Sequence, residues 1–236
     1  MADARLVLHP LFADADREAI SRALDQLRMR RCDAAAGELV LMRGAEYDAL
    51  GLLVSGALRA TIDDMSGRSL LIETLRAPEV LAAPVLYSSQ PRLPVTLTAA
   101  EPSVLWFIDR ADLDRLSVRF PSVYRRLLQD AGDKFVFLST KLRLIQFTTL
   151  RHKIAGFLLP MIRDQTDHPA DASDSSDVVI TLPYSRERMA ELFGVARPSL
   201  SRALGEFVRE GFFDLDGSVV TVRSVSRLAA VLGESR

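Results

Sequence analysis

The spacing of hydrophobic and polar residues changes along the chain, and each spacing predicts a different kind of element. In residues 10–31 apolar residues recur at helical spacing, with acidic residues early and arginines late, which predicts a short amphipathic helix. Apolar and polar residues then alternate in short segments, which predicts strands of a small antiparallel sandwich or barrel. Glycines separate these segments, at Gly37, Gly44, Gly56 and Gly67. We expect a hairpin turn at residues 63–68 and further strands at Leu70–Leu75 and Val95–Ile108.

A 4-3 repeat of apolar residues follows Pro121 and predicts one long helix of roughly 25 residues. We call its apolar positions the heptad seam: Tyr124, Leu128, Ala131, Phe135, Leu138, Leu142 and Ile145. A narrow seam over about three heptads is typical of a parallel dimer helix. The alternative is a long helix packed on its own sandwich. We favour the dimer, because one small domain would leave the ends of so long a helix poorly covered.

Residues 185–204 carry the strongest functional pattern. Ser185 is a good N-cap, and Glu187 follows in the first turn of a helix. Gly194 stands where a tight turn between two helices needs a permissive backbone. This is the spacing of a helix-turn-helix, whose second helix enters the major groove of DNA. The outward positions of that second helix form what we call the recognition face: Ala196, Arg197, Ser199, Ser201 and Arg202.

Two further observations bear on DNA binding. Neither Asp nor Glu occurs between Val195 and Leu204, as a helix lying among phosphates requires. The segment Phe212–Val222 has the pattern of two short strands around an Asp-Gly turn. A helix-turn-helix followed by a hairpin is a winged helix. The combination favours DNA binding over the alternative, two ordinary packed helices with solvated arginines.

In their order, these modules resemble the Crp/Fnr family of bacterial transcription regulators over about Leu11–Leu232. The resemblance implies an α+β fold, with a cyclic-nucleotide-binding-type β-roll for effector sensing (residues 1–120), a dimerisation helix (121–147) and a winged-helix DNA-binding domain (148–236). It also implies a homodimer that binds double-stranded DNA at a palindromic operator and contacts RNA polymerase.

The same resemblance assigns roles to individual residues. By position, Arg197 and Arg202 would read base edges, with Ser199 and Ser201 assisting. Ser185 would hold a phosphate. Arg186 and Ala196 complete the expected DNA-binding set. The family often has an acidic residue directly after the first arginine, but this chain has Pro198, so the family does not predict the operator sequence.

The segment that binds cyclic AMP in relatives lacks its polar groups here. Ala82-Ala83 align with the Gly-Glu pair that binds the ribose, and Arg92-Leu93 align with the Arg-Ser pair that binds the phosphate. Pro84 removes a backbone donor from the start of a helix expected there. A cyclic nucleotide is therefore not the expected effector. An apolar pocket suits a hydrophobic or planar ligand, and its expected residues are Leu81, Ala83, Pro84, Leu86, Arg92 and Leu93.

The LAAPVL and RLPV segments resemble a branch of the family that responds to nitric oxide or nitrosative stress, in which some members use haem. Haem iron takes axial ligands from His, Met or Cys. Met65 and His152 are the expected pair, with His9 and Cys32 as weaker candidates; the alternative is that each is structural. Cys32 is the single cysteine, so we expect no cysteine-ligated iron–sulfur cluster.

Composition and charge limit the class of protein and the cellular location that we expect. The 236 residues are 48% hydrophobic and 26% charged, which is typical of a globular protein. The apolar runs are shorter than the roughly 20 residues of a membrane span, so we expect no membrane association and a cytoplasmic location. The formal net charge of −1 provides no overall basic field for DNA.

Two other functional classes compete with a DNA-binding regulator. The first is a small-molecule-binding module or cyclic-nucleotide-type sensor whose helix-turn-helix is vestigial. The second is an enzyme, which we do not expect, because the sequence shows no paired acid–base constellation, phosphate-binding Gly-rich loop or metal-ligand spacing.

Overall fold

A computed structural model describes residues 3–63, 68–165 and 177–233. The chain divides into two compact units, Met1–Lys134 and Phe135–Arg236. The division falls inside the long helix α5, whose bounds are Pro121–Ile145. The predicted dimerisation segment 121–147 is therefore helical as far as Ile145, and this helix belongs partly to each unit.

The N-terminal unit contains two four-stranded antiparallel sheets. It opens with helix α1 (Ala4–Val7), a 3-10 turn (Pro10–Phe12) and helix α2 (Arg17–Leu24). Its strands are β1 (Met29–Ala34), β2 (Leu39–Leu41), β3 (Ala49–Ser55), β4 (Ala57–Asp63), β5 (Ser69–Arg76), β6 (Glu79–Leu81), β7 (Thr96–Ala99) and β8 (Ser103–Asp109). Helix α3 (Ala83–Leu86) lies between β6 and β7, and helix α4 (Arg110–Arg119) follows β8. The strand orders are β1-β8-β3-β6 and β2-β7-β4-β5.

The two sheets share one core, as a sandwich requires. Leucines from strands of both sheets meet in it, and each is almost fully buried: Leu53, Leu58, Leu81, Leu97 and Leu105. Gly56 joins β3 to β4 with a φ of +89°, and a Cβ there would lie 2.5 Å from the carbonyl oxygen of Pro102. Only glycine fits this turn, because any side chain would meet both backbone strain and a steric clash.

Two predicted elements of this unit are wrong in extent. The single helix predicted over residues 10–31 is a 3-10 turn, a separate helix α2 and the start of β1. The Asp16 side chain accepts a hydrogen bond from the Ala19 N–H and so begins α2 afresh. The strand predicted at Val95–Ile108 is two strands, β7 and β8, which belong to different sheets. The strand predicted at Leu70–Leu75 is confirmed as β5, and residues 64–67 of the predicted hairpin turn lie outside the described residues.

The C-terminal unit packs helices against a three-stranded antiparallel sheet. After the second half of α5 come helix α6 (Leu150–Gln165), strand β9 (Val178–Thr181), helix α7 (Arg186–Phe193) and helix α8 (Arg197–Arg209). Strands β10 (Phe213–Asp216) and β11 (Val219–Val222) and helix α9 (Val225–Gly233) complete the unit. The sheet order is β10-β11-β9, so the predicted wing hairpin is confirmed and pairs with a third strand that we did not predict.

Candidate nucleic-acid interface

Helices α7 and α8 form the helix-turn-helix predicted from the sequence. The Ser185 Oγ accepts a hydrogen bond from the Arg188 N–H at 3.2 Å and caps α7. Gly194 ends α7 with a φ of +68°, and its N–H bonds back to the last turn of the helix. Pro198 lies in the first turn of α8, where its missing N–H costs nothing.

The recognition face points outward from α8. Leu200, Ala203, Leu204 and Phe207 bury the opposite side of the helix in the core of the unit. Four members of the recognition face are exposed and Ser199 is half-buried. The Arg202 Nε approaches the Pro198 carbonyl oxygen at 3.4 Å, one helical turn back. The exposed start of α8 therefore presents small polar groups and two guanidinium groups to the outside.

Charge is distributed unevenly between α8 and the wing. The first acidic residue of α8 is Glu206, beyond the recognition face. The wing carries Asp214 and Asp216, both exposed, and Arg223 forms ion pairs with Asp214 and Asp177. Because DNA phosphates attract cations and repel carboxylates, the start of α8 suits DNA better than the tip of the wing.

Arg186 has a different environment from the one expected of a DNA contact. Its Nη2 donates a hydrogen bond to the Gly217 carbonyl oxygen in the wing turn at 3.0 Å. Its Nη1 is buried without a hydrogen-bond partner in the part of the chain that the structure describes. Burial lowers the pKa of Arg186. The guanidinium therefore ties the wing turn to the start of α7.

Contacts that the sequence did not indicate hold the helix-turn-helix in place. The Lys153 Nζ donates to the Phe193 carbonyl oxygen at 2.8 Å, at the end of α7. The Arg188 guanidinium lies 3.7 Å from the centre of the Phe137 ring. Arg151 pairs with Glu210 at 2.8 Å at the end of α8. No spacing rule finds such pairs, because their members lie far apart in the chain.

Helix α5 has one buried apolar face and, beside it, the exposed heptad seam. Val123 and Leu127 are buried in the core of the N-terminal unit, and Phe137 and Leu144 are buried in the core of the C-terminal unit. The heptad seam lies beside this buried face: Ala131 is half-buried, and the other six members are 41% to 71% exposed. The single chain therefore leaves the seam uncovered, although its side chains are those of a core.

The residues expected to line an effector pocket separate into two groups. Leu81, Ala83, Leu86 and Leu93 are buried and pack into the cores of the N-terminal unit. Pro84 and Arg92 are exposed, and the Arg92 Nη1 donates to the Gly44 carbonyl oxygen at 2.9 Å. Ala82, just before α3, has a φ of +46° and lies in the left-handed region. The described side chains themselves fill much of the expected pocket.

The segment around α3 contacts helix α5 at two places. The Tyr87 ring packs edge-on against Tyr124 of the heptad seam, with centroids 5.9 Å apart, and its hydroxyl donates to Asp114 at 2.8 Å. At the other place, the Lys134 Nζ donates to the Glu79 Oε1 at 2.7 Å. Strand β6 and helix α3 are thereby attached to the helix that bears the seam.

The Lys134 ammonium group has two further partners besides Glu79. Its Nζ also donates to the Val80 carbonyl oxygen and lies 3.0 Å from the Asp130 Oδ2. Burial acts to lower the pKa of Lys134, but the two carboxylates outweigh it and the pKa is raised. The ammonium group therefore stays charged between them. The sequence did not indicate this cluster.

The expected haem ligands are not brought together in the described structure. Met65 lies outside the described residues. The His152 Nδ1 lies 2.8 Å from the Thr149 Oγ1, within hydrogen-bond distance. His9 is buried, and burial raises the pKa of the half-buried Cys32 thiol. Among the described residues, no group of three or more His, Cys, Asp and Glu side chains could hold a metal ion.

Within residues 3–63, 68–165 and 177–233, no helix combines the length and apolar character needed to cross a bilayer.

A β-roll followed by a winged helix-turn-helix defines a class of protein, the effector-responsive DNA-binding regulators. Comparison with known families agrees. Residues 31–119 match the cyclic nucleotide-binding domain, and residues 152–231 match the Crp-like helix-turn-helix domain. The two matches together cover more than two thirds of the chain. The chain belongs to the Crp/Fnr family and is a DNA-binding transcription regulator with an effector-binding domain.

Individual relatives are distant but match over most of their length. The CRP-like cAMP-activated global transcriptional regulator of Mycobacterium tuberculosis is 22% identical over 93% of this chain and 94% of its own. The transcriptional activator protein FnrL of Cereibacter sphaeroides is 24% identical over 94% and 87%. Among solved structures, the catabolite activator protein of Thermus thermophilus has a TM-score of 0.52 at 22% identity, covering 95% of this chain and 98% of that one. This structural likeness supports the fold.

Proposed function

We propose that this regulator works as a homodimer that reads a two-fold symmetric DNA site with the recognition faces of two α8 helices. We further propose that an effector other than a cyclic nucleotide controls it through the segment around α3. The observation that carries the DNA proposal is the recognition face itself: an exposed helix start with two arginines and no acidic residue before Glu206.

The uncovered heptad seam supports the homodimer. Burying one exposed leucine side chain contributes about 1.5–3 kcal/mol at most, and the seam repeats such positions along α5. A second copy of the same helix presents the matching 4-3 pattern, because a symmetric interface uses one patch on both chains. Two recognition faces related by a two-fold axis would then read two half-sites.

The dimer is tested by placing charges in the seam. In the Leu138→Asp, Leu142→Asp double variant, carboxylates face each other across the interface. We expect monomers in sedimentation velocity at concentrations where the unmodified protein sediments as a dimer. Ser139→Asp is the matched control, since this exposed residue of α5 lies outside the seam. A double variant that still sediments as a dimer would show that the seam is not the interface.

DNA recognition is tested at the two arginines. An arginine bidentate to guanine discriminates by about 1–3 kcal/mol, so Arg197→Ala and Arg202→Ala should each weaken specific binding by roughly 5- to 150-fold. The operator is first selected from a random duplex pool, and affinities follow from fluorescence anisotropy at fixed salt. Arg209→Ala is the control, an exposed arginine at the far end of α8. Unchanged affinity in both arginine variants would favour the alternative, a ligand-binding module without DNA activity.

The relative from Mycobacterium tuberculosis is described as cAMP-activated. The family resemblance places Ala83 and Pro84 of this chain where relatives bind the nucleotide; the Ala83 side chain has no hydrogen-bonding group, and Pro84 has no backbone N–H. We therefore expect cyclic AMP to leave DNA affinity unchanged. The Tyr87–Tyr124 contact and the Lys134 cluster provide the physical route by which movement of α3 reaches the seam.

We propose a redox or gas signal such as nitric oxide, sensed through haem, on the strength of the apolar α3 segment and its resemblance to the nitric-oxide branch. Haem would supply an iron centre that binds such a gas. Among the described residues, His152 is the one that would hold the iron. The test is a visible spectrum during titration with haem and then nitric oxide. A saturable Soret band that shifts with nitric oxide and changes in Met65→Ala or His152→Ala would support the proposal; a featureless titration would remove haem.

A further inference from the structure

A cavity of about 330 Å³ lies within the C-terminal unit. Its wall comes from the end of α5, the residues just after α5, helix α6 and helix α9, and it includes no residue of α8. The volume falls in the range of about 300–1,000 Å³ typical of small-molecule pockets. Neither the DNA interface nor the heptad seam accounts for this space.

Most of the wall is aliphatic, and part of it is tightly packed. Leu159, Ile162 and Val225 are representative of the side chains that line it. Phe147 closes one side by stacking on Gly156, where an added Cβ would lie 2.3 Å from the ring. Because glycine lets the ring approach this closely, the wall has a defined shape before any ligand enters. Such a wall suits a flexible hydrocarbon chain.

Within residues 3–63, 68–165 and 177–233, the charged residues that line the cavity are two arginines, Arg143 and Arg163. The Arg163 Nε lies 3.6 Å from the Asp164 carboxylate, so its charge is partly balanced. Arg143 forms no ion pair with any residue in the part of the chain that the structure describes. Gln146 adds an amide to the same wall. An apolar space with cationic groups, and with no carboxylate among the described residues of its lining, complements an amphipathic anion.

We propose that this cavity binds an aliphatic monocarboxylate of medium length, with its carboxylate at Arg143 and Arg163 and its tail between α6 and α9. The site lies in the DNA-binding unit and is separate from the α3 segment proposed above to receive the regulatory signal. It goes beyond the proposed function and does not depend on it.

The test is calorimetric titration of the full-length protein with decanoate and, separately, with 1-decanol, which has the same tail without the charge. We expect saturable binding of one decanoate per chain and binding of decanol at least about tenfold weaker, since a hydrogen bond to a charged group is worth that much. Arg143→Gln should weaken decanoate binding by about the same factor. The control Arg209→Gln should leave it unchanged.

A second pair of variants fills the cavity without changing its charge. Ala229 lines the cavity and Ala230 does not, and both are exposed, so a phenylalanine at either position leaves the core intact. Ala229→Phe should abolish decanoate binding, and Ala230→Phe should bind like the unmodified protein. Absence of saturable binding, equal binding by Ala229→Phe, or decanol binding as tight as decanoate would each overturn the proposal. None of these results changes the outcome expected for the Arg197 and Arg202 variants in DNA binding or for the seam variants in sedimentation.

Discussion

Acidification should destabilise the N-terminal unit through one buried side chain, His9. The residue is 2% exposed. The Nδ1 accepts a hydrogen bond from the Leu11 N–H at 3.2 Å. Burial lowers the pKa of His9 from its usual 6.5 to about 4, and the nearby Glu79 backbone and Asp130 carboxylate offset only part of this. The folded protein therefore keeps His9 neutral where the unfolded chain takes up a proton.

Proton linkage sets the direction and size of the effect. Because the pKa is lower in the folded state, the stability that neutral His9 contributes is fully present above pH 6.5 and is lost as the pH falls to about 4. Each unit of pKa difference corresponds to about 1.4 kcal/mol. The full contribution is therefore about 3 kcal/mol, of which about 2 kcal/mol disappears between pH 7.5 and pH 5.

Urea unfolding at pH 7.5 and pH 5, followed by tryptophan fluorescence, measures this loss. Trp106 is the single tryptophan and lies in β8 of the same unit. His9→Asn keeps an acceptor for the Leu11 N–H but does not titrate. Between pH 7.5 and pH 5 its free energy of unfolding should therefore fall by a smaller amount than that of the unmodified protein, with a difference of about 2 kcal/mol. His152→Asn, in the other unit, should behave like the unmodified protein. Equal losses in the unmodified protein and His9→Asn would refute the reasoning.

Three further substitutions probe other contacts. Gly56→Ala should lower the free energy of unfolding by more than about 2 kcal/mol, because a Cβ would clash with Pro102; Gly132→Ala, which meets no atom within 4 Å, should not. Lys134→Met should lower the free energy of unfolding by about 1–2 kcal/mol, because it leaves Glu79 and Asp130 without their cation. The double variant with Glu79→Gln should recover part of this loss. Both are measured by Trp106 fluorescence in urea. Ser185→Ala should cost about 1 kcal/mol by removing the cap of α7, with Ser201→Ala neutral, in thermal unfolding followed by circular dichroism.

Local patterns predicted the elements whose signals lie within a few residues. The helix-turn-helix was found because its cap, its turn glycine and its apolar positions are close in the chain, and the wing was found because Asp-Gly marks a hairpin turn. The extended pattern of residues 95–108 did not show where β7 ends and β8 begins. That division depends on pairing with β4 on one side and with β3 on the other, and these partners are distant in sequence. Strand β9 was missed for the same reason, since it is completed by pairing with β11.

The sequence by itself determined the order of modules, the outward face of α8 and the 4-3 seam of α5, because periodicity and turn chemistry act over one or two helical turns. Only the tertiary structure decided which apolar face of α5 is covered by its own chain, and that Arg186 reaches the wing turn. It also decided that His9 is buried and that Arg143 and Arg163 line the same cavity. Burial, and with it pKa and ligand complementarity, is set by neighbours that the fold brings together from distant parts of the chain.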